Sequence, residues 1–105
     1  MIIKKAKNIL SISYNDERKR YHRINKPALI EYGDKTYDKI LKYYNHGYLN
    51  REDGPAAILY LKDKISKEIY LKNGKYHRED GPALIEYIDG QIRTEEYFLN
   101  NIRIR

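Results

Sequence analysis

A six-residue phrase that returns at a fixed interval limits what this chain can fold into. Arg51-Glu52-Asp53-Gly54-Pro55-Ala56 recurs as Arg78-Glu79-Asp80-Gly81-Pro82-Ala83, and a worn copy, Arg23-Ile24-Asn25-Lys26-Pro27-Ala28, precedes both. The prolines sit 28 and then 27 residues apart. A period of that length marks stacked supersecondary units. Such stacks build continuous binding surfaces more readily than a single catalytic pocket.

The similarity runs past the phrase. After it come Leu29-Ile30-Glu31-Tyr32, Ala57-Ile58-Leu59-Tyr60 or Leu84-Ile85-Glu86-Tyr87. A polar turn follows, then a second apolar segment ending near Tyr43, Tyr70 or Tyr97, then His46-Gly47, Asn73-Gly74 or Asn100-Asn101. The units span about residues 21–47, 48–74 and 75–101, with a partial fourth at 102–105. The first carries one extra residue between its apolar segments. Residues 1–20 fit the plan poorly and read as an N-terminal cap. Ile2, Ile3, Ala6, Ile9 and Leu10 suit one face of a helix, whereas Leu10 to Tyr14 suit a strand. An edge strand after a frayed start is the preferred reading.

Each unit reads as a β-hairpin. Ala83, Ile85 and Tyr87 alternate with Leu84, Glu86 and Ile88, a period of two. Asp89-Gly90 is a two-residue hairpin turn, and Asn73-Gly74 turns the chain toward the next unit. The expected architecture is therefore all-β, an antiparallel meander of three tandem hairpins of about 27 residues in one twisted, elongated sheet. The chain forms a single domain of 105 residues. The twelve tyrosines suit a pleated, half-buried surface and are expected to form ladders between units.

The repeated phrase reads first as a structural corner. Asp53 and Asp80 can bond backbone two residues on. Gly54 and Gly81 free the φ angle for a strained turn, and Pro55 and Pro82 fix the next one. Arg51 and Arg78 are expected to brace the corner through turn carbonyls or nearby acids.

This pattern resembles the MORN-like repeat proteins, in the variant whose units carry His-Arg-Glu-Asp-Gly-Pro-Ala. His77 to Ala83 match that phrase, and Arg51 to Ala56 match it with Asn50 in place of the histidine. The resemblance covers about residues 21–105. It implies an antiparallel sheet of hairpins and contacts with other proteins. The period here is longer than in the classical type and the Gly-x-Gly signature is missing, so lipid binding does not carry over.

No catalytic constellation stands out. The chain lacks cysteine, which excludes thiol chemistry and thiolate metal sites. His22 and His77 occupy matching places in different units and His46 lies in a turn, a repeat feature and not a ligand cluster. Glu52-Asp53 and Glu79-Asp80 are adjacent carboxylates within a turn phrase, which suits solvated acids paired with Arg51 or Arg78. No enzyme activity, cofactor or metal is expected.

Charge is the second informative feature. Residues 1–47 hold eleven Lys and Arg against five acids, and residues 48–105 hold ten of each. The whole formal charge of +6 therefore belongs to the first half. Its dense clusters are Lys4, Lys5 and Lys7, and Arg18, Lys19, Arg20 and Arg23 with Tyr21 interleaved. Such a face suits an anionic partner, although a solvated basic rim would look the same. Tyr43, Tyr70 and Tyr97 are the candidate aromatic anchors for a protein partner. No apolar run approaches the length of a signal peptide core or a membrane span. The absence of cysteine fits an intracellular compartment, that of a host cell if the chain is viral.

Together these features predict a non-catalytic β-repeat binding module, an adaptor or inhibitor of another protein. The alternative is a binder of nucleic acid or nucleoprotein through the basic half, such as a virus- or phage-type inhibitor of a nucleic-acid-processing enzyme. Oligomers could form through the sheet face or an edge.

Overall fold

The computed structural model describes residues 1–6, 9–33 and 37–105. Lys7, and residues 34–36 in the connection where the first unit carries its extra residue, lie outside this set. The described residues contain no helix. Eight strands form one antiparallel sheet: β1 (Ile2–Ala6), β2 (Ile9–Ser13), β3 (Leu29–Tyr32), β4 (Lys39–Lys42), β7 (Ala57–Leu61), β8 (Lys64–Ile69), β11 (Leu84–Ile88) and β12 (Gln91–Glu96), paired in that order. Three short hairpins lie outside it: β5 (Tyr44–Asn45) with β6 (Tyr48–Leu49), β9 (Leu71–Lys72) with β10 (Lys75–Tyr76), and β13 (Phe98–Leu99) with β14 (Ile102–Arg103).

The hairpins share one register at the corner end, and β7–β8 and β11–β12 each shift by a bulge, after Leu59 and after Glu86. Within the long hairpins Ile2 faces Ser13, Leu29 faces Lys42, Ala57 faces Ile69 and Leu84 faces Glu96. Between hairpins the same residues meet: Leu29 faces Ser13, Ala57 faces Lys42 and Leu84 faces Ile69. The sheet thus holds four long hairpins where three were expected. Residues 1–20, read as a cap with an edge strand after a frayed start, supply two strands of the sheet, β1 and β2.

Turn chemistry sets the hairpins. Asp89 and Gly90 have φ of 51° and 81°, and Asn73 and Gly74 have 50° and 80°. Two positive φ values are the type I′ signature, whose twist matches that of the flanking strands. Lys62-Asp63 and Asn100-Asn101 make the same shape without glycine. The Lys62 amide donates to the Asp38 carboxylate, which anchors its turn.

The core is thin. Ala28, Ala56 and Ala83 have no exposed surface, and among the described residues no large side chain reaches full burial. Leu29, Ile40, Ala57, Ile58, Leu71 and Ile85 are buried with them, as are Pro55 and Ser13. The Cα extents are 38 × 31 × 19 Å, with a radius of gyration of 14.1 Å. A compact chain of this length would have a radius of roughly 13 Å, so the molecule is an elongated slab.

The three alanines are buried because strands converge on them. The Ala56 amide donates to the Ile69 carbonyl and the Ala56 carbonyl accepts from the Tyr43 amide. Ala83 does the same with Glu96 and Tyr70, and Ala28 with Lys42 and Tyr14. A larger side chain there has no free space. Ala56→Leu should lower unfolding free energy by about 1–3 kcal/mol in urea denaturation, whereas Ala6→Leu on exposed β1 should leave it nearly unchanged.

Candidate binding face at the corner loops

The phrase arginines build the corners from within. The Arg51 guanidinium lies 4.0 Å from the Tyr43 ring centre, donates from Nη1 to the Pro55 carbonyl at 3.1 Å, and sets Nε 3.3 Å from Asp53 Oδ1. Arg78 repeats this on Tyr70 at 3.9 Å, with Pro82 O at 3.1 Å and Asp80 Oδ1 at 3.2 Å. Arg23 lies over Tyr14 at 3.7 Å and reaches Pro27 O at 3.4 Å, and Arg105 lies over Tyr97 at 4.5 Å. Cation–π contacts of this kind contribute roughly 0.5–2 kcal/mol each. The carboxylates contribute less, because Asp53 and Asp80 side chains are 84% and 89% exposed.

Gly54 and Gly81 were expected to carry strained φ angles, yet neither has positive φ. Their constraint is space. A Cβ on Gly81 would lie 2.8 Å from Arg78 Cζ, and one on Gly54 would lie 2.9 Å from Arg51 Cζ. Glycine lets the guanidinium cross the turn and reach the proline carbonyl.

The residue before each arginine ties successive corners together. His22 Nδ1 accepts the His46 amide at 3.0 Å, Asn50 Oδ1 accepts the Asn73 amide at 2.8 Å, and His77 Nδ1 accepts the Asn100 amide at 3.1 Å. Asn50 keeps this bond in place of histidine because its amide oxygen offers the same acceptor, while His77 also sets Nε2 3.5 Å from Glu79 Oε1. Beside each, the Gly47, Gly74 and Asn101 amides donate to the Tyr21, Leu49 and Tyr76 carbonyls.

Two grooves run between the corners. One, of about 570 Å³, is walled by Arg51, Asp53, Arg78 and Asp80 and floored by Tyr70 and His77. The other, of about 420 Å³, lies between Arg23 and Arg51 and is floored by Tyr43. Glu52, Asp53, Glu79 and Asp80 are exposed along this edge, while Arg51 and Arg78 are turned inward onto tyrosine. The exposed charge of the two later corner phrases is therefore acidic, with Lys72 beside them in the larger groove, although the chain is basic.

The expected basic set divides. Lys4, Lys5, Arg18 and Lys19 are exposed and have no side-chain partner among the described residues. Arg20 instead bonds Asp16 at 2.9 Å, and Arg23 is held in its corner. The Asp16 carboxylate also accepts the Arg18 and Arg20 amides and meets His46 Nδ1 at 2.7 Å. The His46 contact, then the Arg20 and Arg18 bonds, hold its pKa well below the usual carboxylate range against the opposing effect of burial. His46 stacks on His22 with ring centres 3.8 Å apart. No group of three metal-ligating side chains occurs among the described residues.

The aromatic set sits differently from its expected role. Tyr43, Tyr70 and Tyr97 are half-buried under guanidinium groups, so one ring face of each is covered. The expected inter-unit tyrosine ladders are replaced by these cation stacks. Ring pairs between large aromatics occur instead at Tyr21 with Tyr44 and at Tyr76 with Phe98, beside the short hairpins. Tyr48, 61% exposed on β6, is an outward-facing aromatic that was not among the expected anchors. It lies beside a turn glycine, where no strand periodicity draws attention to it.

Comparison with family models, with curated proteins and with solved structures returned no match. No helix of the described residues is long and apolar enough to cross a membrane.

Two measurements check this geometry. Gly81→Ala should cost about 1 kcal/mol in the native chain and close to nothing in an Arg78→Ala background, because the guanidinium it displaces is then gone. Asp16 has a depressed folded pKa, so its stabilisation is complete above its ordinary value of 3.8 and is lost as pH falls below it. Asp16→Asn should accordingly flatten the acid limb of a plot of Tm against pH.

Proposed function

We propose that this chain is a non-catalytic binding module of the MORN-like repeat type that acts as an adaptor or inhibitor by holding another protein along its corner edge. The observation that carries the reading is the pair of successive grooves, each floored by a tyrosine under an arginine, with exposed carboxylates beside the larger one. Rigid, regularly placed grooves favour an extended segment, which meets the same chemistry once per unit. Exposed acids at Glu52, Asp53, Glu79 and Asp80 favour Lys or Arg on that segment.

The second reading rests on Lys4 and Lys5 of β1 and on Arg18 and Lys19 of the turn after β2, all exposed. An anionic strand of nucleic acid would suit them, with affinity falling steeply as salt rises.

Fluorescence anisotropy with a labelled Lys/Arg-rich peptide and a labelled single-stranded oligonucleotide separates the two. Glu52→Gln, Glu79→Gln and Asp80→Asn together should weaken peptide binding about tenfold, the effect of losing roughly 1.4 kcal/mol. The Tm should hardly move, because exposed charges contribute little to stability. Charge reversal at Lys4, Lys5, Arg18 and Lys19 should leave peptide binding intact. Oligonucleotide binding that vanishes on that reversal, with no peptide binding at all, would reverse the order of the two readings.

A further inference from the structure

The outer strands of the eight-stranded sheet are β1 and β12. Neither has a strand on its outer side among the described residues. Both are exposed along nearly their whole length, with Ile2 at 54%, Ile3 at 62% and Ile92 at 56%. An uncovered edge is a template for another strand. The two edges carry opposite net charge: Lys4 and Lys5 on β1, and Glu95 and Glu96 with Arg93 on β12.

We propose that β12 takes β1 of a second copy as its next strand, head to tail, with Ile2 of the second copy opposite Glu96, Ile3 opposite Glu95 and Lys4 opposite Thr94.

The register comes from the sheet itself. Ile2 faces Ser13 as Leu84 faces Glu96, so β1 has the place in its hairpin that β11 has in the last one. β12 in turn corresponds to β8, since Glu96 and Ile69 face Leu84 and Ala57 in matching hairpins. At the existing junction β8 receives β11 with Ile69 opposite Leu84, Glu68 opposite Ile85 and Lys67 opposite Glu86. Transferring that pairing to β12 and a second β1 gives the proposed register.

The same junction shows how charges would meet. The Tyr87 hydroxyl donates diagonally across the β8–β11 pair to the Glu68 carboxylate. In the transferred register Lys5 takes the place of Tyr87 and Glu95 the place of Glu68. A lysine therefore replaces a phenol as donor to a carboxylate, at a diagonal distance that long side chains span. Lys4 is likewise diagonal to Glu96. An equivalent diagonal already holds an ion pair within one hairpin, where Lys42 Nζ lies 3.3 Å from Glu31 Oε1. The Tyr97 amide is held by the Arg105 carbonyl, so the shared ladder starts at Glu96.

Charge favours this mode. β1 carries two lysines and β12 carries Arg93 beside Glu95 and Glu96, so the mixed pairing joins edges of opposite net charge, whereas pairing β1 with β1 joins two basic edges. Pairing β12 with β12 would close a dimer and leave no glutamate edge for growth. A mixed pairing is heterologous and leaves a free edge at each end, so growth continues past the dimer.

Sedimentation velocity across protein concentration at low salt tests this. The mass of the native chain should rise with concentration without stopping at a dimer, and should fall when salt is added. Lys4→Glu/Lys5→Glu should stay monomeric, as should Glu95→Lys/Glu96→Lys, each with a native β-sheet spectrum. An equimolar mixture of the two variants should associate again, because each supplies the edge the other matches, and this holds as the decisive readout if either variant is less stable alone. A native chain that stays monomeric at every concentration overturns the proposal. So does growth that halts at a dimer, or association that survives both charge reversals.

Discussion

Ala28, Ala56 and Ala83 each join three segments of backbone. The amide of each closes its own hairpin, and its carbonyl accepts an amide from the hairpin before, through Tyr14, Tyr43 or Tyr70. A buried backbone group without a partner costs free energy comparable to a lost hydrogen bond. Full burial of these residues is therefore tolerable only because both polar groups are satisfied, and alanine is the side chain small enough to let the strands approach. The thin slab has little other core on which to rely.

The corner clamp protects that crossing. Pro55 and Pro82 precede the buried alanines, lack an amide that would need a partner, and offer carbonyls that Arg51 and Arg78 reach. The arginine arrives by lying on the tyrosine whose amide bonds the alanine carbonyl, so one tyrosine serves both contacts. Gly54 and Gly81 leave room for the guanidinium to pass. Arginine, glycine, proline and alanine thus form one cooperating set. Inward use of the arginines leaves the acids of the phrase facing water, which is why a basic chain presents a carboxylate-lined edge.

Much of the fold was legible because its signals are local. Asp89-Gly90 and Asn73-Gly74 specify their turn type almost alone, and alternation in residues 83–88 specifies a strand. The bracing role of Arg51 and Arg78 followed from their place beside a turn. Other features depend on contacts far apart in sequence. Lys4 and Lys5 made β1 look unlike the apolar strands it resembles in register, so β1 passed for a frayed start before a single edge strand. The two-residue strands β5 and β6 are too short for any period to show. The clearance role of Gly54 and the cation stacks on Tyr43, Tyr70 and Tyr97 depend on where an arginine side chain runs, which spacing alone does not fix.

Native-state hydrogen exchange at single-residue resolution tests the central claim most directly, because it reads the alanine crossings themselves. The amides of Tyr43, Ala56, Tyr70 and Ala83 should be the most protected in the chain and should exchange only with global unfolding. Exchange of those amides at the rate of the Asn73-Gly74 or Asn100-Asn101 turn amides would contradict the account, since the units would then be held together elsewhere.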